Sequence, residues 1–251
     1  MNDQPKSQML SFMVPGANYG YTGAKIDALA SFENTLAICL LDESGSTTPF
    51  ARQMEGCVKE VVKALRHSPR AANLIYAHYH FDTHFREVHG FKPLMECNEA
   101  DYDGIWAGGG RTTLYDSEDR VINFLVDYAR RQGEQHYTCN GIIWIITDGQ
   151  DFGSVLKQKD VQLSLAKAIA CEELESLMTI LIGINDDPAV QRDLEEHAQT
   201  VGFTQYVPVA RADEKTLVAL AGFVSRSVSA QSQSLGQGGP SQPLPPPSLT
   251  F

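Results

Sequence analysis

The segment Leu41-Asp42-Glu43-Ser44-Gly45-Ser46 spaces three oxygen-bearing side chains two residues apart. In an extended turn the Asp42 carboxylate and the Ser44 and Ser46 hydroxyls then point to one side. A second carboxylate stands in Thr147-Asp148-Gly149, where glycine permits a tight turn. Thr112 and Thr113 follow Gly108-Gly109-Gly110-Arg111 and add hydroxyls. The set holds two carboxylates and several hydroxyls, with no thiolate or imidazole. Hard oxygen donors of this kind suit Mg²⁺ or Mn²⁺ far better than zinc or copper. An ion held between Asp42 and Asp148 would keep both ionised, which points away from proton transfer and from an enzyme.

Two other clusters fall short of the chemistry they suggest. His78, His80, Asp82 and His84 alternate, but zinc hydrolases of the metallo-β-lactamase kind use His-x-His-x-Asp-His, and here Thr83 separates Asp82 from His84. Period two in a strand accounts for the spacing, with His78 and His80 on one face, covered by helices or paired with hydroxyls. The glycine triplet lacks the preceding strand and the lysine of a phosphate-binding loop. No Gly-x-Ser-x-Gly occurs to make Ser44 a nucleophile.

The elements that must position these residues are legible as periodicity. Thr35 to Leu41, Leu74 to Phe81, Ile142 to Ile146, Met178 to Ile184 and Gln205 to Val209 read as strands, the continuous apolar runs among them buried on both faces. Val88 to Leu94 is an edge strand at best, because of Gly90 and Pro93. Helices are expected over Phe50 to Leu65, from a cap at Asp116 to about Arg131, over Val161 to Leu174, over Ala189 to Thr200 behind Pro188, and from Glu214 to about Val228. The alternation predicts an α/β fold, with a doubly wound, mostly parallel sheet and helices on both faces. Ligands of such sheets bind where strand order reverses, so the loops carrying Asp42 and Asp148 should converge.

The length of 251 residues suits one domain, and 43% hydrophobic with 20% charged residues is ordinary for a folded chain. A net charge of −11 opposes nucleic acid as a partner. No apolar run is long enough for a membrane span, and Met1 to Ser11 lacks the order of a signal peptide. Five scattered cysteines without a Cys-x-x-Cys pair suggest reduced thiols in a cytoplasmic protein. Residues 1–30 are expected to be irregular, although Met9, Leu10, Phe12 and Met13 are able to dock on the body. The domain is expected over 31–229, and the Ser, Gln, Gly and Pro content of 230–251 predicts a disordered tail.

Asp42-x-Ser44-x-Ser46, Thr112 in a glycine-preceded Thr-x-Leu-Tyr-Asp context, and Thr147-Asp148-Gly149 resemble, in that order, the metal ion-dependent adhesion site of von Willebrand factor A domains. The resemblance covers about Thr35 to Val228 and is to the intracellular type. It implies that Ser44, Ser46 and Thr112 contact the ion directly, with Asp42 and Asp148 doing so directly or through water. One coordination position then stays open for the Asp or Glu of a protein partner. Arg111, immediately before Thr112, departs from the pattern: its cation would either weaken metal binding or pair with a partner's acid, and it leaves Thr113 as an alternative ligand. A metal-independent scaffold and, less favoured, a metal-dependent hydrolase stand as the other functional readings.

Overall fold

The computed structural model describes residues 6–211, 213–235 and 243–245. Its strands are β1 (Met9–Met13), β2 (Gly20–Ala24), β3 (Glu33–Asp42), β4 (Leu74–Phe81), β5 (Phe85–Pro93), β6 (Thr138–Thr147), β7 (Leu177–Ile184) and β8 (Gln205–Val209). Its helices are α1 (Ala51–Arg66), α2 (Leu114–Gly133), α3 (Gln158–Ala170), α4 (Pro188–Val201) and α5 (Glu214–Ser234). The strands form one sheet in the order β1-β2-β5-β4-β3-β6-β7-β8, parallel except for the β1–β2 and β4–β5 pairs.

Period-two alternation splits the buried strands between two cores. Leu36, Ile38, Leu40, Ile143 and Ile145 face α2, α3 and α4, whereas Ala37, Cys39, Leu41, Ile142, Trp144 and Ile146 face α1 and α5. Met54, Cys57, Val58, Val61, Val62 and Leu65 give α1 the inward stripe expected of it. Helices on both faces make this the expected doubly wound α/β fold. The strand order reverses between β3 and β6, which lie side by side in parallel register. The Asp42 and Asp148 loops therefore leave neighbouring strand ends, as the ligand-placement rule requires.

Four expectations are corrected. Part of the segment read as irregular over 1–30 is a hairpin, β1 with β2, that extends the sheet. Phe12 packs on Tyr21 and Tyr128 at 5.5 and 6.1 Å between ring centroids, and Pro15 and Gly16 form a turn within the hairpin's connection, closed by the Ala17 N–H to Val14 O bond at 3.1 Å with Gly16 at a φ of 79°. The strand beyond Phe81 is interior, since β5 lies between β4 and β2; a β-carbon at Gly90 would stand 1.7 Å from the Thr22 carbonyl oxygen, so the glycine permits this close approach. Helix α2 starts at Leu114, and the Asp116 carboxylate instead accepts the Val155 and Leu156 N–H groups at 3.0 and 2.8 Å. Finally, α5 continues into the stretch read as tail, to Ser234. There Gln231 bonds to Gly141 O and Ser176 Oγ, so the polar residues of this last part meet polar groups of the β6 region rather than water. The rest of the expected tail lies outside the described residues, apart from 243–245, where Leu244 packs on the second core. No helix among the described residues is long and apolar enough to cross a membrane.

Candidate functional site

Asp42 closes β3 and is buried, with each carboxylate oxygen held: Oδ1 accepts the Ser44 N–H at 2.8 Å and Oδ2 the Thr147 hydroxyl at 2.6 Å. A 3₁₀ turn over Gly45–Phe50 then carries Ser46 to the surface. The Ser44 and Ser46 hydroxyls lie 3.2 Å apart, and Ser46 Oγ donates to Asp148 Oδ1 at 2.9 Å. Four of the five residues singled out in the sequence are thus linked by direct hydrogen bonds or through Thr147 next to Asp148. The fifth, Thr112, is brought to the same rim by the loop before α2, whose Gly110 carbonyl accepts the Gly45 N–H at 3.1 Å. Thr112 is buried, and its hydroxyl has no hydrogen bond among the described residues. The Thr113 hydroxyl, by contrast, donates to the Asp82 carbonyl at 2.6 Å. Of the two threonines, Thr112 is the one free to serve as a ligand.

The electrostatics suit a cation. Burial pushes the Asp42 carboxyl up to about 6, against hydrogen bonds from Thr147 and Ser44, and the charge of Asp148 adds to the rise. Burial likewise raises Asp148, opposed by the Ser46 bond. Two carboxyls that resist ionising together, set among hydroxyls, form a donor set matched to a hard divalent ion. Among the described residues no three His, Cys, Asp or Glu side chains form a cage of the transition-metal kind.

Behind the loop lies a network that meets the expectation of His78 and His80 on one face paired with a hydroxyl, and whose continuation to Glu43 and Arg86 sequence reasoning did not foresee. The Tyr76 hydroxyl meets His78 Nδ1, His78 Nε2 meets His80 Nε2, and His80 Nδ1 meets Glu43 Oε2, each at 2.8 Å. With both imidazoles neutral, protons inferred from the donor count run one way, from Tyr76 through the two rings to the Glu43 carboxylate. Burial pushes His78 well down and lowers His80 as well, in keeping with neutral rings. Burial also acts to raise Glu43, but hydrogen bonds from His80 and Arg86 outweigh it and hold the carboxyl at about 2. Arg86 grips both Glu43 oxygens, at 3.0 and 2.6 Å, and donates to the Ile105 carbonyl at 2.7 Å. A β-carbon at Gly108 would lie 1.6 Å from the Glu43 carbonyl oxygen, so the glycine triplet serves close packing on this loop. Its Gly110 N–H goes to Asp82 Oδ2 at 3.0 Å. The signals available beforehand were the alternation of His78 and His80, and Glu43, an acid inside the alternating motif on the side away from the ligands.

Solved structures share this arrangement of strands and helices. Proximal thread matrix protein 1 from the mussel byssus superposes with a TM-score of 0.58 at 18% identity, over 76% of this chain and 47% of that one. The fold is of the von Willebrand factor A kind. The PilB minor pilin from Streptococcus sanguinis gives 0.58 at 11% identity, covering 82% of this chain and 64% of that one. The SpaC pilus adhesin from Lactobacillus rhamnosus GG, in an open conformation, gives 0.59 at 10%, covering 79% and 30%. The chain therefore spans less than two thirds of each. The mussel protein has also been solved with zinc in its MIDAS motif. No protein-family model and no curated protein matches the sequence.

Proposed function

We propose that the chain is a protein-interaction module, not an enzyme, which binds a divalent cation through Asp42, Ser44, Ser46, Thr112 and Asp148 and uses it to grip an acidic side chain of a protein partner. The observation that carries this reading is the convergence of Asp42, Ser44, Ser46 and Asp148 at the sheet's reversal point, beside a Thr112 hydroxyl that makes no bond of its own among the described residues. When bound, Mg²⁺ or Mn²⁺ would supply an electrophilic position for one carboxylate oxygen of the partner. Asp42 is oriented from behind by Thr147, and Ser46 by Asp148, so the chain presents its donors without rearranging β3 or β6. The reading places the protein in the cytoplasm, which its five unpaired cysteines suit.

Mg²⁺ titration of the purified protein, followed by thermal melting, tests this. The ion is expected to raise the Tm by linkage. Ser44→Ala, Thr112→Ala and Asp148→Ala should each remove the shift while retaining native circular dichroism, because these groups sit in loops at strand ends. A shift that survived all three substitutions would overturn the assignment. Partner capture that was indifferent both to chelator and to these changes would favour the metal-independent scaffold.

A further inference from the structure

The loop after Asp148 places large apolar side chains in water beside the cation position. Phe152 is 69% exposed and Val155 84%. The loop is tied down on all sides. Phe152 N–H donates to the Thr112 carbonyl at 2.7 Å, Val155 and Leu156 N–H donate to Asp116, and Asp151 accepts both the Tyr115 N–H and the Ser154 hydroxyl. Exposed apolar surface on a loop held this firmly is preorganised for contact, because little further ordering would accompany binding.

Arg111 belongs to the same rim. Its guanidinium lies 5.4 Å above the Phe152 ring, and its methylenes run beside Gly153, where a β-carbon would come within 3.7 Å of Arg111 Cβ. Its backbone N–H goes to Thr83, and the guanidinium makes no ion pair among the described residues. In a chain of net charge −11, a fixed and unpaired arginine beside a cation position is an anion-recognition element.

We infer that Arg111, stacked on Phe152, is a second anchor, so that the partner segment carries two carboxylates, one for the cation and one for the guanidinium. The inference rests on the metal reading above. Arg111 and Thr112 are adjacent, with Cα atoms about 3.8 Å apart, so acids separated by no more than about two residues span the two anchors.

The test uses three peptides, acetyl-Asp-Gly-Asp-amide, acetyl-Asp-Gly-Asn-amide and acetyl-Asn-Gly-Asn-amide, with variants of the first that have no glycine or two. Binding is read by NMR titration at low ionic strength, in Mg²⁺ and in chelator. In Mg²⁺ the best diacid is expected to bind at least fivefold tighter than the monoacid, and the neutral peptide not at all. Arg111→Gln should bring the diacid and monoacid to within twofold, and Phe152→Ala should reduce the ratio in part. Equal binding of mono- and diacid by the unaltered protein overturns the second anchor and leaves the metal reading standing. A preference that survives Arg111→Gln also overturns it. An Arg111-dependent preference that persists undiminished in chelator supports the anchor and overturns the metal reading. Absence of binding by every peptide in Mg²⁺ overturns both.

Discussion

In the proposed reading, Asp42 couples the cation site to pH. Burial holds its carboxyl up to about 6 in the metal-free fold, against an ordinary value of 3.8. A folded-state value raised in this way contributes stability that is full below pH 3.8 and is lost as pH rises through about 6. The metal-free protein thus carries, near pH 7, a penalty on the order of 2–3 kcal/mol, which a cation between Asp42 and Asp148 would offset. The Mg²⁺-induced rise in Tm is accordingly expected to be larger near pH 7 than near pH 5. Melts at both values, with and without the ion, check this, and an equal shift at both would show that Asp42 stays ionised without a cation. At this scale the sequence marked the converging oxygens, because carboxylates and hydroxyls at strand ends have few other uses in such number. It named Thr112 only through the resemblance and kept Thr113 as an alternative, since adjacent identical residues differ only in what the tertiary structure offers them. Asp82, at the end of β4, supplies the carbonyl that decides between them.

At the level of elements, strand β5 and two loops are held together by groups that bear no charge pattern in the sequence. Arg86 on β5 reaches Glu43 in the β3 loop and the carbonyl of Ile105 in the loop that leads to Thr112. Glu43 also accepts the Ala107 N–H at 3.3 Å. Removing Arg86 leaves a nearly buried carboxylate with only His80 and the Ala107 N–H beside it, a kind of break that costs about 3 kcal/mol or somewhat less here, because the Arg86 side chain is partly exposed. Arg86→Ala is expected to lower urea stability by about 2–3 kcal/mol and to weaken Mg²⁺ binding as well, since the Thr112 loop loses its tether. Chemical denaturation and calorimetry read the two effects separately. A stability loss with unchanged Mg²⁺ affinity would show that the network supports the fold without positioning the site. Element types were legible wherever a period was long and clean, as in β3, α1 and β7. β5 was read as an edge because Gly90 and Pro93 are strand breakers in isolation. Their use became visible only with β2 lying against Gly90, a contact about 70 residues apart in the chain that no local pattern records.

On the scale of the whole molecule, both ends of the chain contribute to the fold more than their composition suggests. The N-terminal hairpin is fastened by the Tyr21 hydroxyl, which donates to Asp127 at 2.8 Å, and by Arg131 over the Phe12 ring. At the other end, Ser and Gln residues that read as a solvated tail complete α5 and cap the start of β6. The buried Asn140 donates through Nδ2 to the Gln231 carbonyl at 2.5 Å, while Arg70 reaches Ser232 at 3.2 Å. Composition argued for disorder because it counts apolar area, whereas here the Gln231 side-chain amide and backbone carbonyl bond to the β6 region, although Gln231 Oε1 and Asn140 Oδ1 stay buried without a partner among the described residues. Two truncations separate these contributions. Deleting 236–251 removes the half-buried Leu244 and its bond from Gln205, worth about 1 kcal/mol, so the Tm should fall by roughly 2–4 °C. Deleting 229–251 also takes away Gln231, Ser232 and the buried Leu235, leaving the Asn140 amide without its partner. That orphaned group costs about 1–3 kcal/mol and the lost burial of Leu235 about 1–2 kcal/mol more, so this second chain should melt at least about 4 °C lower again. Equal melting temperatures for the two truncations would mean that the last turns of α5 add nothing to the stability of the sheet they cover, and that water replaces Gln231 at no cost.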